Sequence, residues 1–477
     1  MKRYEALAAD IAASIGRGTL RPGDRLPSVR QASASRGVSP ATVFEAYYLL
    51  EARGLVEARP RSGYYVARRA SAAALEPQQR SQPDGEARPV AISELVFEVV
   101  ASTMSRAVVP LGSAFPSPRL FPLARLGRAT AAAVTHLDPW STVDDLTPGN
   151  AALRHQIALR YLLDGAQVGP DEILVTNGAM EALNLCLAAV CAPGDTVLVE
   201  SPCFYACLQA LERLGLKAVE VATDPREGID LDALDAAIVR HAPRACWLMT
   251  RFQNPLGSSM DEAKARALVA LVSRHRLPLI EDDVYGELYS GSRRPPAAKA
   301  FDREGWVMHC SSFSKTLAPG YRIGWVAPGR FLHAVARHKL ALSLATSVPA
   351  QLGLARYLER GSYERHLRGL RRTLQAQREA YIEAIGRAFP AGTRVSRPAG
   401  GYFLWVEMPA RVDALDLHRE LMAEGVSLAP GPMFSASRSF AHHLRINAGH
   451  PLDAPAAAAV QRLGRAVARR ARASTAR

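Results

Sequence analysis

The sequence predicts a multidomain chain: a small α+β unit of three helices and a two-stranded wing, then a large α/β unit on a mainly parallel sheet with a smaller α+β lobe. Three observations predict it. Residues 69–92, within RRASAAALEPQQRSQPDGEARPVAI, lack apolar periodicity and are rich in Ala, Gln, Ser, Pro and Arg, the composition of a flexible linker. Before them, in residues 1–68, helical patterns give way to two short strand patterns. After them, from about residue 170 to 330, short apolar runs alternate with helical patterns, which means parallel strands covered on both faces.

At 477 residues the chain is too long for one ordinary core. Its 48% apolar and 22% charged residues are those of a globular protein, and no apolar run approaches a membrane span. The opening MKRYEALAADIAASIGRG reads as an amphipathic helix without the apolar core of a signal peptide, so the expected location is cytoplasmic, with no membrane partner. Six cysteines, at 186, 191, 203, 207, 246 and 310, sit in apolar segments with no CxxC pair and no nearby histidine cluster. Buried free thiols are expected in preference to disulfides or a metal site.

The net charge of +14 suits an acidic partner and also serves solubility. Residues 1–70 hold twelve Arg/Lys against six Asp/Glu, so the small unit is itself basic. The tail QRLGRAVARRARASTAR adds six arginines and no acid, either to touch nucleic acid or as a solvated helix end. Only six of the 59 basic residues are lysine. Lysine in such a chain draws attention to chemistry that arginine cannot perform, such as condensation with a carbonyl.

In the small unit, residues 4–17 place Leu7, Ile11 and Ile15 on one helical face. LRPGDRLPS breaks the chain, a short helix runs from about Val29 to Ser35, and Ser39-Pro40 caps and opens a helix to about Arg53. GLVEARPRSGYYVAR then gives two strands around Arg61-Ser62-Gly63. That is a winged helix-turn-helix. The stretches GTLRPGDRLPSVRQ, GVSPATVFEAYYLLEARGLV and RSGYYV resemble the GntR family of DNA-binding domains over residues 3–68. The resemblance implies double-stranded operator DNA as partner. It implies that Arg25 and Arg30 reach phosphates or a guanine edge and that Ser39, Ala41 and Thr42 open the recognition helix. Gly63 would let the wing approach the DNA backbone.

In the large unit the expected strands are ILVTN, TVLVES, KAVEVA, CWLMT, LPLI, WVMHC and RIGWVAP, in a large lobe of about 135–330. GYFLWVEM, a helix at 413–424, SLAPG and HHLRINA belong to a small lobe of about 93–134 and 331–470, the whole unit spanning 93–477. Ligands of such sheets gather beyond the carboxyl ends of the strands. There lie Asn177-Gly178, Ser201, Asn254, Asp282-Asp283 and Ser312 to Lys315. Lys315 among hydroxyls can condense with an aldehyde, while Ser312, Arg322 and the amides of Gly178 and Ala179 are phosphate donors. Asp282 can keep a ring nitrogen protonated, and Asn254 and Tyr285 can hydrogen-bond a ring oxygen. Singly each has a plainer reading: a surface lysine, a strand-end cap, a turn residue before proline. Together, on separate strand ends, they make one site.

SSFSKTLAPGYRIGW, FQNPLG, EDDVYGEL and HHLRINAGH resemble the class I/II aminotransferases of the fold-type I pyridoxal phosphate enzymes over about residues 110–470. The resemblance implies pyridoxal 5'-phosphate as cofactor and Lys315 as the residue that condenses with it. Asp282 would meet the pyridine nitrogen, Asn254 and Tyr285 the ring oxygen, and Gly178, Ala179, Ser312 and Arg322 the phosphate. Phe204 would stack on the ring and Arg445 would grip a carboxylate; a core aromatic and a surface ion pair are their plainer readings. One departure is Asp144, where the family often places a tyrosine ahead of GNAALR. A carboxylate beside a phosphate is repulsive.

The order of the two units resembles the MocR subfamily of GntR regulators. It implies transcription controlled by pyridoxal phosphate or its adduct with a small amine or amino acid, in a homodimer. The alternative is a catalytically active aminotransferase carrying a DNA-binding appendage.

Overall fold

The structure, a computed structural model, describes residues 3–16, 19–21, 23–52, 55–59, 62–66, 75–102, 105–144 and 147–472. It divides into two compact units, one formed mainly by Met1–Ala74 and one by Leu75–Tyr381 with Pro390–Arg477.

The first unit runs α1 (Arg3–Gly16), α2 (Val29–Arg36), α3 (Pro40–Ala52), β1 (Val56–Arg59) and β2 (Gly63–Val66). Leu7, Ile11 and Ile15 bury one face of α1 against Val43, Ala46, Tyr47 and Leu50 of α3, as the spacing predicts. Ser28 and Gln31 form a capping box on α2, and Gly37 ends it with φ +62°. The Ser39 hydroxyl accepts from the Thr42 amide at 3.2 Å and caps α3. β1 and β2 pair antiparallel from Val56↔Val66 to Arg59↔Gly63, and Arg25 bridges to Tyr65. Leu50 is fully buried. Leu50→Ala is expected to lower the stability of this unit by about 2–5 kcal/mol, read as a shift of its own unfolding midpoint in urea.

The second unit holds one large and one small sheet. β3 (Arg88–Pro89), β4 (Leu174–Thr176), β5 (Thr196–Ser201), β6 (Lys217–Asp224), β7 (Gly228–Ile229), β8 (Ala245–Leu248), β9 (Leu279–Asp282), β10 (Val307–Ser312) and β11 (Gly324–Ala327) form the large one. Its order is β3-β6-β5-β8-β9-β10-β11-β4, with β7 beside β6. β6, β5, β8, β9 and β10 run parallel, while β11 lies antiparallel between β10 and β4. Both faces are buried because side chains alternate between them. Val197 and Val199 join Leu183 and Leu208 on one side, and Leu198 joins Leu234, Leu268 and Val272 on the other. The small sheet comprises β12 (Arg394–Val395), β13 (Phe403–Glu407), β14 (Ala429–Pro430) and β15 (His443–Asn447), in the order β12-β13-β15-β14 and antiparallel throughout.

Two boundaries differ from the sequence expectation. Residues 69–74 lie outside the described residues, but 75–92, expected within a flexible linker, are bound along the second unit. β3 pairs with β6, the Ser81 amide donates to the Thr223 carbonyl at 3.1 Å, and Arg80 pairs with Asp230. Without β3, β6 would be the edge of the sheet, and its otherwise free backbone groups satisfy a segment that has no apolar period of its own. Residues 93–102, expected in the small lobe, form a helix whose Val96 and Val99 pack with Leu208 and Leu211 of the large lobe.

All six cysteines are free thiols, Cys191 half-buried and the others buried. The arginine-rich tail forms the helix Ala454–Arg472, where Arg470 donates to Glu420 at 3.0 Å; residues 473–477 lie outside the described residues. Among the described residues no helix is long and apolar enough to cross a membrane.

Candidate functional site

Lys315 closes a single 3-10 turn, Phe313–Lys315, just past β10. Its Nζ donates to the Ala114 carbonyl at 2.9 Å and lies 3.8 Å from the centre of the Phe115 ring. Burial, then the positive charge of Arg445, bring its pKa down to about 7, against the pull of Asp282. At neutral pH about half of such amines are unprotonated and nucleophilic.

β9 delivers Asp282 and, immediately after it, Asp283. Strand alternation separates them. Asp283 accepts from Arg251 Nε at 2.9 Å and meets His309 Nε2 at 3.1 Å. Burial alone would raise its pKa, but Arg251 and His309 outweigh burial and hold the carboxyl well below its usual range. Asp283 is therefore a structural anchor and not part of the candidate site. Asp282, equally buried, has an Oδ1 with no hydrogen-bond partner among the described residues. Burial, then the charge of Asp283, push its pKa up to about 7, with Lys315 opposing.

Asn254 is fully buried; its Oδ1 accepts from Arg445 at 3.0 Å, and its Nδ2 has no partner among the described residues. Tyr285 stands edge-on to Tyr402 and to Phe403, and burial pushes its phenol pKa up. Gly178 precedes the helix Ala179–Val190 with φ +80°, and a Cβ there would strike the Arg322 guanidinium. Arg322 donates to the Asn177 carbonyl at 3.2 Å. The start of that helix and a guanidinium thus converge on one point, the arrangement an anion requires, while the Gly178 amide itself donates to the Thr176 carbonyl at 2.8 Å. Ser312 ends β10 with its hydroxyl accepting from the Ser314 amide at 3.4 Å.

Arg445, expected to grip a carboxylate, sits buried on β15. It donates to Asn254, to the Gly112 carbonyl at 2.7 Å and to the Ser113 carbonyl at 3.2 Å. Its guanidinium lies 4.3 Å from the centre of the Phe403 ring. Phe204 opens the helix Tyr205–Arg213, its ring 4.8 Å from that of Tyr205. Ser201 belongs elsewhere: it lines a separate cavity with His442 and His443. The side chain of Asp144 lies outside the described residues.

The loop Leu111–Phe115 carries no motif and is absent from the sequence expectation, yet it crosses the site. The Ala114 carbonyl also accepts from the Tyr402 hydroxyl at 3.0 Å, and Asn447 Nδ2 donates to Ser113 at 2.9 Å and Phe115 at 2.7 Å. Its one sequence signal is Gly112, where a Cβ would strike the Leu428 carbonyl.

The residues present fit pyridoxal phosphate on the structure's own terms. A buried lysine near neutrality, an unpartnered buried carboxylate oxygen, an unpartnered buried amide and a phosphate-shaped glycine-arginine corner match the aldehyde, ring nitrogen, ring oxygen and phosphate.

In the first unit Arg25, Arg30, Ser39, Ala41 and Gly63 are exposed and Thr42 is half-buried. A Cβ on Gly63 would lie 3.6 Å from the Arg25 guanidinium, so wing and Arg25 are neighbours. Phe44 and Tyr48, one turn apart on α3 within GVSPATVFEAYYLLEARGLV, are also exposed.

Residues 146–463 match the aminotransferase class I and II family, and residues 3–66 the bacterial regulatory proteins of the gntR family. The chain is 46% identical to the uncharacterized HTH-type transcriptional regulator YdcR of Escherichia coli (strain K12), over 98% of this chain and 100% of that one. It is 38% identical to the regulator YjiR of the same organism, over 98% and 99%. Among solved structures it resembles LysN, the α-aminoadipate aminotransferase of Thermus thermophilus complexed with N-(5'-phosphopyridoxyl)-L-leucine. The TM-score is 0.71 at 30% identity, covering 80% of this chain and 98% of that one. The chain belongs to the MocR-type HTH transcriptional regulators, in which a gntR-family winged helix is joined to an aminotransferase class I and II unit.

Proposed function

We propose that this regulator reads operator DNA through α3 and the wing, holds pyridoxal phosphate at Lys315, and responds to an amino compound whose carboxylate meets Arg445. The observation that carries this reading is the unpartnered Asp282 Oδ1 and Asn254 Nδ2, both buried beside an amine brought near neutrality. Polar atoms buried without partners are costly, and a ligand that satisfies them is the natural resolution.

Bound pyridoxal phosphate supplies an aldehyde that condenses with primary amines and a ring that accepts electrons. Lys315 presents its amine to that aldehyde, and Asp282 holds a proton at the ring nitrogen. Asn254 and Tyr285 orient the ring oxygen, and Phe204 covers the ring. The Gly178 and Ala179 amides, Ser312 and Arg322 hold the phosphate. An incoming amino compound shifts the second unit between two states, and residues 75–92 lead that change toward the DNA-binding unit. Exposed Trp140, Leu162, Leu163 and Leu342 offer apolar surface for a second copy, and a homodimer suits paired half-sites in DNA. Such a protein works in the cytoplasm, beside its DNA.

One observation favours a second reading, an active aminotransferase: Lys315, the amine such chemistry needs, is buried and near neutrality. The full-length regulators outweigh it. The deciding experiment is operator binding with and without pyridoxal phosphate and a panel of amines, alongside assay for keto acid. Brisk turnover with operator affinity unmoved by cofactor and every amine would overturn the regulator reading.

Arg30→Ala, on the exposed first turn of α2, is expected to weaken operator binding while leaving the cofactor spectrum unchanged. A bidentate contact to a base edge costs about 1–3 kcal/mol and is sequence-specific. A phosphate contact weakens specific and random DNA alike; unchanged affinity at fixed salt contradicts the docking.

A further inference from the structure

Away from Lys315 a second group of donor side chains converges. Glu407 ends β13 and His443 opens β15, and the antiparallel register sets them directly opposite each other. His442 precedes β15, its ring centre 4.3 Å from that of His443. One donor atom from each of the three lies within 4.8 Å of the other two. Tetrahedral coordination with bonds of about 2.0–2.1 Å sets donors roughly 3.3 Å apart, within reach of small rotations of three half-buried side chains.

His443 is pre-positioned. Its ring stacks on Trp405 at 5.2 Å with an 18° tilt, and Trp405 is held edge-on by Phe434 and Phe440. The His443 Nδ1 is buried with no hydrogen-bond partner among the described residues. The three residues line a cavity of about 300 Å³, whose other walls include Arg80, Thr223 and the segment around Ser81.

We propose that Glu407, His442 and His443 form a three-ligand site for a zinc-class divalent transition-metal ion, with its open coordination position toward this cavity. Two imidazoles and one carboxylate suit zinc and its neighbours, whereas calcium and magnesium take oxygen ligands and copper(I) takes sulfur. Three protein ligands leave room for water or a fourth donor. The site is independent of the cofactor reading, though His443 lies two residues from Arg445 on the same face of β15.

The test uses the full-length, tag-free protein carrying its cofactor. Cobalt(II) titration, followed by its visible ligand-field absorption, is expected to show one equivalent bound per chain. Zinc should displace it, and excess magnesium should not. His442→Ala and Glu407→Gln should each lower zinc affinity at least about tenfold by calorimetry. The Lys315→Ala chain, run in parallel, should bind zinc as the parent does, which excludes the cofactor as ligand. Far-UV circular dichroism and the cofactor spectrum establish that the variants fold, and Glu407→Gln, nearly isosteric, keeps the test valid if His442→Ala does not. The proposal is overturned by the absence of one-to-one binding in the micromolar range, or by binding that both folded variants retain or that Lys315→Ala loses.

Discussion

Lys315→Ala is expected to abolish borohydride-fixed attachment of pyridoxal phosphate, the largest effect of any single substitution in the second unit. Peptide mapping of the reduced parent should find the label at Lys315 alone. The variant should show none while keeping its fold and its operator binding. The other five lysines supply no substitute: 217, 264, 299 and 339 all lie outside the strand-end site in the second unit, and Lys2 is near the N-terminus. The pH dependence follows from the lowered pKa of about 7. An amine whose pKa is lowered becomes neutral earlier as pH rises. The initial rate of cofactor uptake by stripped protein should rise roughly fivefold between pH 6 and 7 and level off above pH 8. An ordinary lysine would still be gaining roughly tenfold per unit there. A rate that keeps climbing to pH 9 contradicts the buried, cation-flanked position of Lys315.

Arg445→Ala is expected to uncouple effector from DNA. With the parent, the cognate carboxylated amine should change the cofactor spectrum and the operator affinity together, by about 5–150-fold in affinity. The variant should lose both responses to that compound and keep unliganded operator binding. Arg445 donates to the Gly112 and Ser113 carbonyls, so its removal also leaves buried acceptors unpaired. Arg445→Gln, which retains a donor, separates that structural cost from loss of the carboxylate grip. A carboxylated amine that shifts DNA affinity equally in the parent and both variants removes Arg445 from the effector site.

The strand ends were legible in the sequence because apolar runs of the large sheet are bounded by polar residues, and Lys315, Asp282, Asn254 and Gly178 each follow such a run. The Asp282-Asp283 pair is resolved by Arg251 and His309, which reach Asp283 from other strands and strand ends. The loop Leu111–Phe115 works through backbone carbonyls, and its side chains therefore carry little signal. Residues 75–92 looked like a free linker because their partners are the edge of β6 and scattered charges, which leave no period in the segment itself. Glu407, His442 and His443 lack metal-motif spacing because the third donor arrives by strand pairing.

The opposite facing of Asp282 and Asp283 makes β9 self-proofreading. Slipping its pairing by one residue, so that Val284 takes the place of Asp283, turns each carboxylate to the opposite face. Arg251 would then keep Asp164 but lose its nearer carboxylate, and breaking such a buried pair destabilises by about 3–5 kcal/mol. A mispaired strand is thus rejected during folding on grounds unrelated to ligand binding. Every chain that passes this check presents Asp282 on the face toward Lys315, so accuracy there is inherited from a salt bridge made by its neighbour in the chain.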